Sequence, residues 1–480
     1  MKTLGAALVL SSLLAGAGLA PTQAAHAGTS RADDPAVGSP EYVARDTQNI
    51  ADAYGRVTDQ QLGDPAYLPA LVQQGTAVGV AQLLEQVATP DRPSVTPGAF
   101  VPGWNVGNPF RAAWDGTRGR MRDVSFTNRY GALLRGTLYA PLPRARDPYT
   151  GKRIKGRLPG VVITEGSVQG SEGMYRWLAQ DLAERGYLVL TYDVQGQGTS
   201  ETLPHDGTLN GVPSQQIDNF VVGTEDALSF FTSTPRTPYP DHGAGDLVDA
   251  HNPWHRRFDR RPDRRPNAAG RTTRIAIIGH SLGAAAVTQV QGTDERVSTV
   301  VALDKLGLST SSGTDGGDAF EPVVPALAVQ SEYGFTVGPW FAAGGSSITP
   351  QPSPQGPDPR RERATGYDAW RDAGVDSMLV VPRASTHLEY TDIPLVLPAS
   401  RWGQALTSAY VQRWLEHYLK HRTSVRTLLA TKMRYLEPTS SGEWVPVVLR
   451  RDPLLSFYYC SAMHLGRGAI DDGDLTDVGC

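Results

Sequence analysis

The run Ile275-Ala276-Ile277-Ile278-Gly279-His280-Ser281-Leu282-Gly283-Ala284-Ala285-Ala286 decides the fold. Its first four residues are apolar without alternation, the pattern of a strand buried on both faces. The alanines after Leu282 favour a helix. Between the two lies G-x-S-x-G, five letters that carry little weight alone in a chain with 51 glycines. Their context is informative. A serine at a tight strand-to-helix turn has its hydroxyl exposed at the strand end, its glycine neighbours avoid clashes, and the helix N-terminus favours developing negative charge. Ser281 is the candidate nucleophile.

Working outward, apolar strand-like runs alternate with helical ones. Strands are expected at 159–164, 187–192, 274–278, 297–303, 326–330 and 378–381, and helices at 174–185, 215–232, from Leu282 onward, and at 404–421. Such alternation predicts an α/β fold, a mostly parallel twisted sheet flanked by helices and built by right-handed crossovers. Ahead of it, β-rich runs at 124–127 and 133–139 flank Arg129-Tyr130-Gly131, a hairpin turn. Residues 28–120 are read as an N-terminal helical extension with periodic segments at 42–54 and 67–87, residues 121–421 as the catalytic unit and 422–480 as a C-terminal tail. The stretch 235–271, rich in Pro, Asp and Arg, is read as a surface insertion.

A serine hydroxyl needs a base, and the base needs a group to orient it. His387, in Thr386-His387-Leu388-Glu389 after the expected strand at 378–381, is the candidate base. The other histidines have plainer readings. His280 is adjacent to Ser281, where its ring does not reach the hydroxyl productively; His417 and His421 lie near a helix C-terminus, which favours cations. His242, His251 and His255 sit in the insertion as solvated loop residues. No pattern requires a metal or a cofactor.

These pieces resemble a bacterial secreted α/β-hydrolase of the dienelactone-hydrolase and prolyl-peptidase-like type. The matching segments are Pro159-Gly160-Val161-Val162, Leu182-Ala183-Glu184-Arg185-Gly186-Tyr187, Tyr192-Asp193-Val194-Gln195-Gly196-Gln197-Gly198-Thr199-Ser200, the Ser281 turn and Thr386-His387-Leu388-Glu389. The resemblance covers about residues 120–421 and implies the α/β-hydrolase fold and a triad in the order Ser, acid, His. It departs at two places. Where such hydrolases commonly read His-Gly, this chain has Glu165-Gly166-Ser167; by position, the backbone N–H groups of Ser167 and Leu282 would form the oxyanion hole. Glu165 adds a carboxylate that an arginine at the sheet edge would satisfy. The family's usual Gly-x-x-Asp would put the acid where Gly334 stands, and Glu332 is the only carboxylate in that turn. Glu332 is therefore expected to complete the triad. Asp304, one strand farther from His387 and beside Lys305, is the alternative acid.

The 480 residues carry a net charge of −4, which leaves no basic excess for a nucleic-acid backbone. Only six of the 45 basic residues are lysines, a bias expected of a GC-rich genome. Lys2, the apolar run 4–20 and Ala25-His26-Ala27 predict a signal peptide over 1–27 and secretion without a membrane span. Cys460 and Cys480, the only cysteines, are then expected to pair as one disulfide closing the tail. The leading expectation is a secreted serine hydrolase acting on a small-molecule or polymer ester. A prolyl or aminopeptidase-like enzyme, with Glu165 or Glu172 anchoring an amine, and a non-catalytic binding protein on the same scaffold are the alternatives. Tyr333, Phe335, Trp340, Phe341 and Trp254 are candidate site aromatics, and the roughly 20 residues between the two strands preceding Glu332 are too few for a helical cap.

Overall fold

The Ser281 turn sits at the centre of a ten-stranded mixed sheet. The structure is a computed structural model and describes residues 34–96, 104–167, 170–203, 213–267, 269–307, 320–343, 355–395 and 398–480. The expected signal peptide, and residues 308–319 of the connection between the two strands preceding Glu332, lie outside the described residues.

Strands β1 (Gly119–Thr127) and β2 (Leu133–Pro141) form the expected hairpin. Asn128 makes its turn, its Oδ1 accepting from the N–H groups of Tyr130 and Ala132 at 3.1 and 2.9 Å, while Gly131 takes the left-handed φ of +84°. Then follow β3 (Gly160–Thr164), β4 (Leu188–Tyr192), β5 (Ile275–His280), β6 (Thr299–Leu303), β7 (Ala326–Val329) and β8 (Ser377–Val380). The spatial order is β1-β2-β4-β3-β5-β6-β7-β8, parallel from β4 to β8 and antiparallel at β2.

Alternation along the strands divides the core. Val162, Ile275 and Ile277 face one layer, formed by helices at Ile217–Thr232 and Leu282–Thr293. Val161, Ile163, Ala276 and Ile278 face the other, formed by helices at Arg176–Glu184 and Gly403–Tyr418. The β-branched runs therefore follow from burial on both faces, worth about 1.5–3 kcal/mol per Val or Ile side chain.

The termini join this core. The helix Pro40–Asp52 starts at Ser39, whose hydroxyl accepts from Tyr42 N–H at 3.1 Å, and it delivers Tyr42 and Ala53 to the first layer. The last 60 residues hold the separate hairpin β9 (Lys432–Pro438) and β10 (Trp444–Arg450). They also add β11 (Ala462–Leu465) and β12 (Ile470–Asp472) to the main sheet, antiparallel beyond β8. Cys460 and Cys480 are joined in a disulfide with Cα atoms 6.4 Å apart. The acidic tail closes on itself, with Asp474 accepting from the N–H groups of Val478, Gly479 and Cys480. Among the described residues no helix is long and apolar enough to cross a membrane.

Candidate active site

Ser281 follows β5 with φ 54° and ψ −119°, a conformation a non-glycine residue holds only when its surroundings impose it. The surroundings explain both glycines of the motif. A Cβ on Gly279 would lie 2.1 Å from Gly283 O, and one on Gly283 would lie 2.2 Å from Glu165 O. The turn can close against β3 only with glycine at both places.

His387 Nε2 lies 2.9 Å from Ser281 Oγ, and its Nδ1 lies 2.6 Å from Asp304 Oδ2. Asp304 is 2% exposed and also accepts from Ser331, from the hydroxyl at 2.6 Å and the N–H at 3.2 Å. Burial pushes its carboxyl up, but the hydrogen bond and charge of His387, the charge of Lys305 and the Ser331 hydroxyl outweigh this and hold it down at about 2. Lys305 does not take Asp304 as an ion-pair partner; it pairs with Glu362 at 2.9 Å.

The expectation for Glu332 is corrected by this geometry. Because Ser331 faces Asp304, the next residue along the chain points away. Glu332 is fully buried on the other side, where it accepts from Ser456 Oγ and Asn49 Nδ2 at 2.5 Å and from Ala384 N–H at 2.6 Å. It ties the first helix and the C-terminal segment to the loop before His387. Strand adjacency does not select the partner of His387, because His387 lies seven residues beyond the end of β8 and this connection returns its ring to the end of β6, next to Ser281.

The Ser167 and Leu282 N–H groups carry no hydrogen bond to the described residues. Leu282 opens its helix and has no acceptor within it. The turn at Gly166 lies against Ser281, for a Cβ there would approach Ser281 Cβ to 3.0 Å. That turn is clamped twice. Gly166 N–H donates to Tyr175 Oη at 2.9 Å, and Gln197 Nε2 donates to Gly166 O.

Several groups here were not singled out from sequence. Tyr175 Oη lies 2.7 Å from His280 Nδ1, and His280 Nε2 lies 2.9 Å from the carbonyl of His387. Burial, then the neighbouring His387, depress His280 to about 3, so it is neutral and its Nε2–H donates to that carbonyl. One chain of bonds thus links the Gly166 turn, the residue before Ser281 and the backbone of His387. Arg56 grips the turn at His387–Tyr390 from outside, donating to Thr391 O at 2.8 Å and lying 3.2 Å from Glu389 Oε1. These contacts span sequence separations of 105 to 335 residues, and no local pattern announces them.

Among the described residues Glu165 has no arginine partner. It is 1% exposed, with Oε1 accepting from Val194 N–H at 2.8 Å and Oε2 without a partner. Burial, then the charges of Asp193 and Glu172, push its carboxyl well up. Glu172 accepts from Thr137 and Thr191 hydroxyls. Of the five candidate aromatics, Phe335 packs on His387, with ring centroids 4.5 Å apart. Tyr333 and Trp340 stack on each other in the core, Phe341 is 64% exposed, and Trp254 lies against Arg120 and Arg257. His417 meets Thr423 O at 2.8 Å, and His421 meets Asp263 at the same distance.

The strand order, the strained serine after β5 and the flanking helices define an α/β-hydrolase fold. No protein-family model matches the chain. An uncharacterised protein of Pseudomonas aeruginosa is 33% identical over 138 residues, 27% of this chain and 34% of its own length. A hydrolase of a Fusarium species is 30% identical over 112 residues, 23% and 24% of the two chains, and a thiohydrolase of Arthrinium phaeospermum is 28% identical over 185 residues, 38% and 43%. The chain thus matches less than half the length of each of these relatives. Among solved structures, a ferulic acid esterase from Streptomyces cinnamoneus superposes with a TM-score of 0.39 at 17% identity, over 64% of this chain and 91% of that one.

Proposed function

We propose that this protein is a secreted serine hydrolase that cleaves an ester or related acyl bond through an acyl-enzyme on Ser281. The observation that carries the reading is the unbroken relay Ser281–His387–Asp304, with the serine in a strained turn. As Ser281 Oγ attacks the carbonyl carbon, its proton passes to His387 Nε2. Asp304 keeps the other ring proton on Nδ1 and stabilises the imidazolium. The carbonyl oxygen, now anionic, is received by the N–H groups of Ser167 and Leu282. The tetrahedral intermediate collapses, His387 gives its proton to the leaving oxygen or sulfur, and the acyl group stays on Ser281. Water, deprotonated by His387, then repeats the sequence and releases the acid.

The hydrolase and thiohydrolase names of two relatives support hydrolysis as the reaction. A peptidase reading loses its amine anchor: Glu165 is buried with its carboxyl pushed toward the neutral form, and Glu172 is engaged by hydroxyls.

A panel of oxygen esters, thioesters and Xaa-Pro amides, run with wild type and Ser281→Ala, tests the reading. Turnover of esters or thioesters should fall by up to about 10⁶ in the variant. Turnover by a folded Ser281→Ala equal to wild type, or amidase activity without esterase activity, would overturn it. Export is tested by sequencing the N-terminus of protein from culture medium, which should begin at Gly28.

A further inference from the structure

At the end of the sheet opposite Ser281, beneath the starts of β3 and β5, lies a cavity of about 210 Å³. Its walls come from five separate stretches of the chain, and seven of its lining residues are cations against a single carboxylate, Asp259. Some of this charge is neutralised. Arg261 and Arg274 share Asp259 at 2.8 and 2.6 Å, and Arg274 also meets Asp263 at 3.1 Å. Arg185 and Lys420 share Glu416, with Asp147 also on Arg185. Each acid nearby is therefore already taken.

Lys155, Arg157 and Arg422 remain. All three are exposed, all line the cavity, and none has an ion-pair partner among the described residues. The floor beneath them is built rather than loose: Lys420, with its side chain 4% exposed, lies 3.7 Å from the Tyr187 ring centroid and 2.8 Å from Glu416. Burial first, then the like charges of Arg185 and Arg422, lower Lys420 to about 8. Cations crowded around a pocket with low-dielectric walls repel one another and focus a positive potential into it. An anion there relieves the repulsion.

We propose that this cavity is a binding site for a tetrahedral oxyanion, phosphate or sulfate, held by Lys155, Arg157 and Arg422 and independent of the chemistry at Ser281. Guanidinium groups suit such a ligand because their paired N–H donors match two of its oxygens at once. Lys155 adds a mobile point charge. A dianion offsets two of the three free cations, which a carboxylate or chloride cannot do. The same loop carries Arg144, Arg146 and Arg153 around a second hollow of about 440 Å³, whose described lining holds no carboxylate. The oxyanion therefore has two sources, a free ion or an ester group on an anionic polymer that runs across both hollows.

The test is calorimetric titration of the full-length mature protein with inorganic phosphate at fixed ionic strength, chloride replacing phosphate in the control. One saturable site is expected, weakened at least about tenfold in Arg157→Ser/Arg422→Ser, with ester hydrolysis by that variant unchanged; losing one charged hydrogen bond alone is worth about this factor. Phosphate heats equal to the chloride control, or equal affinity in the double variant, would overturn the proposal. Heparin, a sulfated polymer, separates the sources. Heparin bound by wild type, weakened in the double variant and displaced by phosphate identifies polymer-borne groups, whereas a phosphate site that heparin does not compete for identifies the free ion.

Discussion

Replacing Asp304 and Glu332 separately by their amides separates catalysis from folding. In Asp304→Asn, a carbonyl oxygen can keep the Ser331 N–H, but the amide nitrogen then faces His387 Nδ1, where a carboxylate oxygen now lies at 2.6 Å. The ring must turn to the tautomer with its proton on Nε2, and that nitrogen can no longer accept from Ser281, 2.9 Å away. Loss of the orienting acid costs about 10⁴ in kcat, or about 5.5 kcal/mol at roughly 1.4 kcal/mol per tenfold. Glu332→Gln does the opposite. Three donors converge on its two oxygens, so an amide leaves at least one buried donor facing another. The expected cost is about 1–3 kcal/mol of stability, with kcat near wild type. Initial rates on an aryl ester and urea midpoints, measured for both variants, give the two readouts. A folded Glu332→Gln with crippled kcat beside an active Asp304→Asn would refute the assignment.

Tyr175→Phe removes a hydroxyl that serves both Gly166 N–H and His280 Nδ1, and should lower stability by about 1–3 kcal/mol while reducing kcat more than it raises KM. Urea melts and steady-state rates check this; an unchanged kcat would show that the chain of bonds does not position His387. Burial, then the charge of Glu172, raise Asp193 from 3.8 to about 7. The folded state therefore keeps a proton that the unfolded chain releases, and stability falls as pH rises from about 4 through 7. The Tm of wild type should drop across that window relative to Asp193→Asn, and parallel curves would contradict it. Alkylation without reductant should add no label to Cys460 or Cys480, and reduction should cost about 3 kcal/mol for the 20-residue loop.

What sequence could show of this fold was what is local. The Ser281 turn was legible because strand, glycines and helix are contiguous, and the close approaches at Gly279 and Gly283 are the cause of the pattern. The parallel strands were legible because burial on both faces demands unbroken apolar runs. The acid was not, since choosing between Asp304 and Glu332 depends on which way the chain turns after β7: Ser331 facing the site sends Glu332 outward. Arg56, Tyr175 and Asn49 were invisible for a related reason. Each acts through one contact across a long stretch of chain, and neither periodicity nor composition encodes such a contact. The four-residue β11 gave no periodic signal, yet backbone pairing with β8 brings it into the main sheet.

Whether Ser281 is the nucleophile of an Asp304-supported triad is decided by a fluorophosphonate probe followed by peptide mass mapping. One label per chain is expected, on the peptide containing Ser281, absent in Ser281→Ala and strongly slowed in Asp304→Asn. A folded wild-type protein that takes no label, or takes it on another residue, would contradict this assignment.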